Sequence, residues 1–132
     1  MTYIFAHNAQ RTFTMIEITE HETNSRAFIP LPLFIESDGT CCLIDGSLLV
    51  DTELQDICEQ LNGSDYYILR TIDRRTIVVN KEIVEGIKQK DELTYMNINL
   101  HDQEIPLDHS FDEIKAILGC GIQEKTIKTK GL

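Results

Sequence analysis

Apolar and polar residues change period several times along this chain, and each change marks an element. In 51–62, Leu54, Ile57, Cys58 and Leu61 recur at i, i+3, i+4 and i+7, the spacing of one helix face. Asp51 or Thr52 is placed to cap the start, Thr52-x-x-Gln55 has the form of a capping box, and Asn62-Gly63 closes the segment. A second helix is predicted over 110–118, where Phe111, Ile114, Ile117 and Leu118 make the apolar face. Ser110 caps it with Glu113 three residues on, and Gly119 supplies the stop.

Strand patterns fill most of the rest. Phe13–Thr19 alternates through Phe13 and Met15, then shifts by one to Ile16 and Ile18, while Phe28–Ile35 is nearly all apolar. Thr40–Ile44 and Leu48–Val50 flank Asp45-Gly46, a hairpin turn signal. Thr76-Ile77-Val78-Val79 reads as a buried strand that turns at Asn80. Leu93–Leu100 sets Tyr95, Asn97 and Asn99 on one face against Met96, Ile98 and Leu100 on the other, a half-buried antiparallel strand, and 101–104 turns the chain before Ile105. The expected fold is mainly β, with two short amphipathic helices, in one domain over residues 1–119. The stretch 120–132, with Lys125, Lys128 and Lys130, reads as a loosely ordered tail.

Composition agrees with one domain: 132 residues at 42% hydrophobic suffice for one core and fall short of two. No apolar run approaches the length of a membrane span, and the start MTYIFAHNAQR lacks the form of a secretory signal, so a soluble cytoplasmic protein is expected. Of the four cysteines, Cys41 and Cys42 are strand neighbours that point to opposite faces, Cys58 lies on a helix's apolar face, and no C-x-x-C pair occurs. His7, His21 and His101 have no second ligand at metal spacing, so neither metal nor cofactor is expected. Asp108-His109-Ser110 holds the residue types of a hydrolytic triad. Consecutive residues cannot align nucleophile, base and orienter, so catalysis is not expected there.

The net charge of −10 speaks against a simple nucleic-acid binder until its distribution is considered. Residues 1–69 carry two cations and eleven acids, 70–90 six and three, 91–114 none and seven, and 115–132 four and one. The strongest internal positive segment thus contains Arg70, Arg74, Arg75 and Lys81, an exposed basic loop feeding a buried strand. This is a plausible anion-binding device, and the same arginines also fit a solvated loop paired with neighbouring acids.

The residues of this segment resemble the LytTR family of bacterial DNA-binding domains, whose signature runs F-x-R-x-H-R-S-x-I-V-N, a short I-x-x-I segment, then a strand ending I-P-V-S-R-S-Y and a helix. Arg75-Thr76-Ile77-Val78-Val79-Asn80 stands for R-S-x-I-V-N, Ile83 and Ile87 for the isoleucines, and Ile105 to Phe111 for the last element. Upstream, Leu33-Phe34-Ile35-Glu36-Ser37 is similar to the family's I-x-Y-I-E strand, and 51–61 to its amphipathic helix. The resemblance covers residues 13–118.

It implies a LytTR-like β-sandwich or barrel that reads duplex DNA through loops, without a recognition helix, as a transcription regulator. The implied contact positions are the turn Asp38-Gly39-Thr40, the loop Arg74-Arg75 and the segment Asp108-His109-Ser110. Arg75 would suit a bidentate contact to guanine or a phosphate clamp, with Arg70, Arg74 and Lys81 on the backbone and His109 sharing readout. A second copy on repeated half-sites, or a homodimer, would strengthen binding, and neither a membrane nor a small-molecule substrate is expected. Three places depart from the pattern: Asp108-His109 stands where the family has Ser-Arg, Asp38 puts a carboxylate at a loop tip, and around Ile72-Asp73 the R-x-H spacing breaks, with Ile72 at the first Arg position, Arg74 at the His position and Arg70 out of register by about two residues. The alternative is therefore a LytTR-like domain that has lost DNA and uses its acidic surface for protein contacts.

Overall fold

The computed structural model describes residues 3–5 and 14–119. The expected strand residue Phe13, His7, Cys120 and the tail 120–132 lie outside the described residues. Among the described residues the fold is mainly β, with ten strands in three antiparallel sheets and two helices. β1 (Met15–Thr19) and β2 (Arg26–Pro30) form a two-stranded sheet. The central five-stranded sheet contains β3 (Phe34–Ser37), β4 (Cys42–Ile44), β5 (Leu48–Val50), β6 (Tyr66–Arg70) and β7 (Thr76–Asn80), in the order β5-β4-β3-β7-β6. β8 (Val84–Lys90), β9 (Leu93–Ile98) and β10 (Gln103–Leu107) make the third sheet, with β9 in the middle.

The central sheet is apolar on both faces because each face has its own core. Ile35, Cys42, Ile44, Val50, Tyr66 and Val78 point to a first cluster with Ile16 and Ile18 of β1 and with α1 (Leu54–Cys58). Phe34, Leu69, Ile77 and Val79 point to a second, with Met96, Ile98, Ile105, Leu107 and α2 (Phe111–Leu118). Ile77, Val78 and Val79 are all 0% exposed, which explains the unbroken β-branched run of β7: alternate side chains enter different cores.

The apolar run Phe28–Ile35 does not form one strand. It ends β2 at Pro30, crosses at Pro30-Leu31-Pro32 and begins β3 in another sheet. Proline has no N–H to donate to a ladder, so the two prolines mark the crossing. The crossing is closed by side chains. Asp45 Oδ1 accepts from the Leu33 and Phe34 N–H groups at 2.8 and 2.9 Å, and the buried Tyr66 hydroxyl donates to the Pro32 carbonyl at 2.7 Å. Asp45-Gly46 makes the expected hairpin turn, both residues at positive φ (50° and 76°).

The first helix is shorter than the periodicity predicts. Only Leu54–Cys58 is α-helical, and Gln60 and Leu61 make tighter N–H bonds to Ile57 and Cys58. Neither Asp51 nor Thr52 caps it: Glu53 occupies that place with no side-chain bond. Asp51 donates its N–H to Thr19 in an extension of the β1 ladder, and Thr52 Oγ1 accepts from the Thr19 N–H at 2.7 Å. The second helix follows its signals. Ser110 and Glu113 form a reciprocal capping box, and Gly119 takes the left-handed conformation at φ 67°.

Candidate functional site

Three strands of the central sheet end flush. Ser37 of β3 and Arg70 of β6 both pair with Thr76 of β7. A bridge between Thr71 and Leu107, with the Asp108 N–H donating to the Arg70 carbonyl at 2.8 Å, ties the end of β10 to the same place. This register brings together the turn Asp38-Gly39-Thr40, the loop from Arg70 to Arg75 and the segment Asp108-His109-Ser110. Lys81 stands apart: it follows Asn80, at the opposite end of β7, and its ammonium lies 4.9 Å from the Tyr67 ring centre.

The basic loop is a tight structure built on Thr71, a buried hydroxyl. The Thr71 N–H donates to the Arg75 carbonyl at 2.8 Å, the Thr71 Oγ1 accepts the Arg75 N–H at 3.0 Å and donates to Asp73, and Arg74 turns the chain at φ 70°. The Thr71 hydroxyl, with help from the Arg75 guanidinium, holds the Asp73 carboxyl below its ordinary pKa. Arg75 is engaged twice, with Glu36 at 3.2 Å and Asp73 at 3.3 Å. Arg70 meets Asp108 at 3.2 Å. Among the described residues Arg74 makes no ion pair.

His109 and Asp38 are used locally. His109 Nε2 accepts the Arg70 N–H at 3.0 Å, which requires the neutral ring with its proton on Nδ1. Burial, then the Arg70 charge, lowers its pKa. Asp38 Oδ1 accepts from the Thr40 N–H and hydroxyl and from the Cys41 N–H, and these bonds hold its carboxyl down to about 2. Gly39, at φ 101°, completes that turn in a conformation that an L side chain rarely adopts. Of the aromatic pair preceding the loop, Tyr66 is core and Tyr67 packs partly on the second cluster. Asn80 accepts the Glu82 N–H at 2.8 Å, a turn role.

A second convergence was not visible in the sequence spacing. His21 Nδ1, Cys41 Sγ and Asp51 Oδ1 lie within 4.8 Å of one another on the outer surface. The histidine, expected to be solitary, meets Asp51 at 2.6 Å, and this carboxylate raises its pKa. No linear motif announces the group because strand pairing, and not sequence proximity, assembles it. No family model, curated protein or solved structure matches the chain.

Proposed function

We propose that the chain is a LytTR-like transcription regulator that docks duplex DNA on the end of the central sheet. The observation that carries this reading is the convergence of three loops, Asp38–Thr40, Arg70–Arg75 and Asp108–Ser110, which lie far apart in sequence and are held together by ladder pairing. Arg74, which pairs with no carboxylate among the described residues and sits at a left-handed loop position, makes the first contact. Arg75 and Arg70 follow by exchanging carboxylate for phosphate or a base edge. The Arg70–Asp108 pair is exposed, both side chains 58% accessible, whereas Glu36 is only 23% accessible beside Arg75 at 47%. An exposed pair such as Arg70–Asp108 is worth only about 0–1 kcal/mol, so its exchange is inexpensive. His109 acts by fixing the Arg70 backbone, and Lys81 takes no part at this end.

A second reading is favoured by the same ion pairs. Glu36, Asp38, Asp73 and Asp108 surround three arginines, leaving this end without a positive excess, and a domain used for contact with a basic protein would look the same. Selection from a random duplex pool at low and near-physiological salt separates the two. DNA binding predicts enrichment of a short motif that is lost in the Arg74→Ala/Arg75→Ala variant. Removing two phosphate contacts should also flatten the slope of log K against log salt by about 2. No enrichment at low salt would sink DNA reading and leave the protein-contact role.

A further inference from the structure

The cluster of His21, Cys41 and Asp51 is built by strand register. Cys42 pairs with Val50 across β4 and β5, so Cys41 and Asp51 are the next opposed residues. Glu20 bridges to Val50 from the other side, the Asp51 N–H donates to the Thr19 carbonyl at 2.8 Å, and the His21 N–H donates to the Leu49 carbonyl at 3.0 Å. Three backbone segments are thus laced side by side. Cys42 and Val50 point into the first core, so their neighbours Cys41 and Asp51 point outward, and the ladder sets His21 beside them.

The three side-chain atoms meet at one place. Cys41 Sγ is 4.0 Å from His21 Nδ1 and 3.8 Å from Asp51 Oδ1, and Nδ1 and Oδ1 are hydrogen-bonded at 2.6 Å. This is the wrong arrangement for a nucleophilic triad. A base must use one ring nitrogen for the orienting carboxylate and the other for the thiol, whereas here both partners meet Nδ1. It suits a cation. Ligand atoms bound tetrahedrally to zinc at about 2.0–2.3 Å lie about 3.3–3.8 Å apart. The two sulfur distances are already close to that, and the histidine and aspartate need only open their hydrogen bond.

We propose that His21 Nδ1, Cys41 Sγ and Asp51 Oδ1 form a surface site for a thiophilic divalent ion of the zinc class, its fourth position left to water or to a partner's side chain. A thiolate, an imidazole and a carboxylate are the donor set such an ion takes, and the two anionic ligands balance its charge. On binding, the thiol proton passes to solvent, and the Nδ1 proton that His21 donates to Asp51 also leaves, to solvent from an imidazolium or exchanged through solvent onto Nε2 of a neutral ring, so that the imidazole coordinates neutral with its proton on Nε2. Asp38 Oδ1 accepts the Cys41 N–H at 3.2 Å, so an ion on Cys41 would also stiffen the Asp38–Thr40 turn. The site stands whether or not the loop end reads DNA.

The test is titration of the full reduced chain with Co2+, followed by competition with Zn2+. One equivalent should bind with a sulfur-to-cobalt charge-transfer band that zinc abolishes. Cys41→Ser should remove the band, and His21→Ala and Asp51→Asn should each weaken binding at least about tenfold. His21 and Asp51 are exposed and Cys41 is half-buried outside both cores, so the variants should keep the circular dichroism of the parent. Absence of a band, a band surviving in Cys41→Ser, or affinity unchanged in both His21→Ala and Asp51→Asn would overturn the site.

Discussion

The two helices reach similar ends by different routes. α2 carries its own instructions: Ser110 and Glu113 cap each other's backbone, Ile114 is buried, and Gly119 ends the helix in the left-handed region. α1 has no side-chain cap and only five helical residues, and it is held by partners far away in sequence. Gln60 clasps both backbone groups of Glu17, Oε1 accepting its N–H at 2.7 Å and Nε2 donating to its carbonyl at 3.0 Å. Gln55 makes the same two-point clasp on Ile4, at 3.0 and 2.9 Å. Two glutamine amides thus stand in for a missing strand neighbour. Local signals suffice for α2, whereas α1 exists because the first core needs Leu54, Ile57 and Cys58.

The difference can be broken at its strongest point first. Ile57→Ala empties a site with 0% exposure and should cost about 2–5 kcal/mol in urea unfolding, with amide protection in α1 collapsing before that of α2. Gln60→Ala comes next, at about 1–3 kcal/mol, because it leaves two partly buried groups of β1 without a partner. Its amide-exchange signature should appear in β1 as well as α1, and exchange confined to α1 would refute the clasp. Ser110→Ala should cost about 1 kcal/mol and fray only the first turn of α2, read as faster exchange there.

The smallest effect concerns pH at the loop that precedes α2. His109 is neutral in the fold, with a lowered pKa, so the unfolded chain takes up its proton first as the solution is acidified. Its contribution is therefore complete above the ordinary histidine value of about 6.5 and is lost as pH falls through the lower folded value. The stability gap between the parent and His109→Gln should be constant above that pH and shrink below it. A gap that widens on acidification would mean that the Arg70 N–H does not rely on a neutral ring.

How far the sequence could be read follows the same division. The capping box of α2, the Asp45-Gly46 hairpin and the twice-buried run of β7 rest on neighbours a few residues apart, and each formed where its pattern placed it. The ends of α1 did not, because Thr52 serves Thr19 and Gln55 serves Ile4, tasks that no local window contains. Phe28–Ile35 was misleading for a related reason: hydrophobicity does not say which of two cores a residue enters, and the prolines carried the better signal. At the loop end, the basic segment was legible. Its pairing of Arg75 with Glu36 and the use of His109 as a backbone acceptor depended on register.

The wall that separates the two cores also sets an order of assembly. β3 is one face of each core, yet Phe34–Ser37 finds its central partner only in Thr76–Asn80 of β7, made much later on the ribosome. Until β7 emerges, β3 keeps its β4 partner on one side and an open apolar edge on the other, a state prone to pairing with other chains. Neither core can be completed first and used as a template for the other. Maturation should therefore be a single late event, with contacts of long sequence separation limiting its rate.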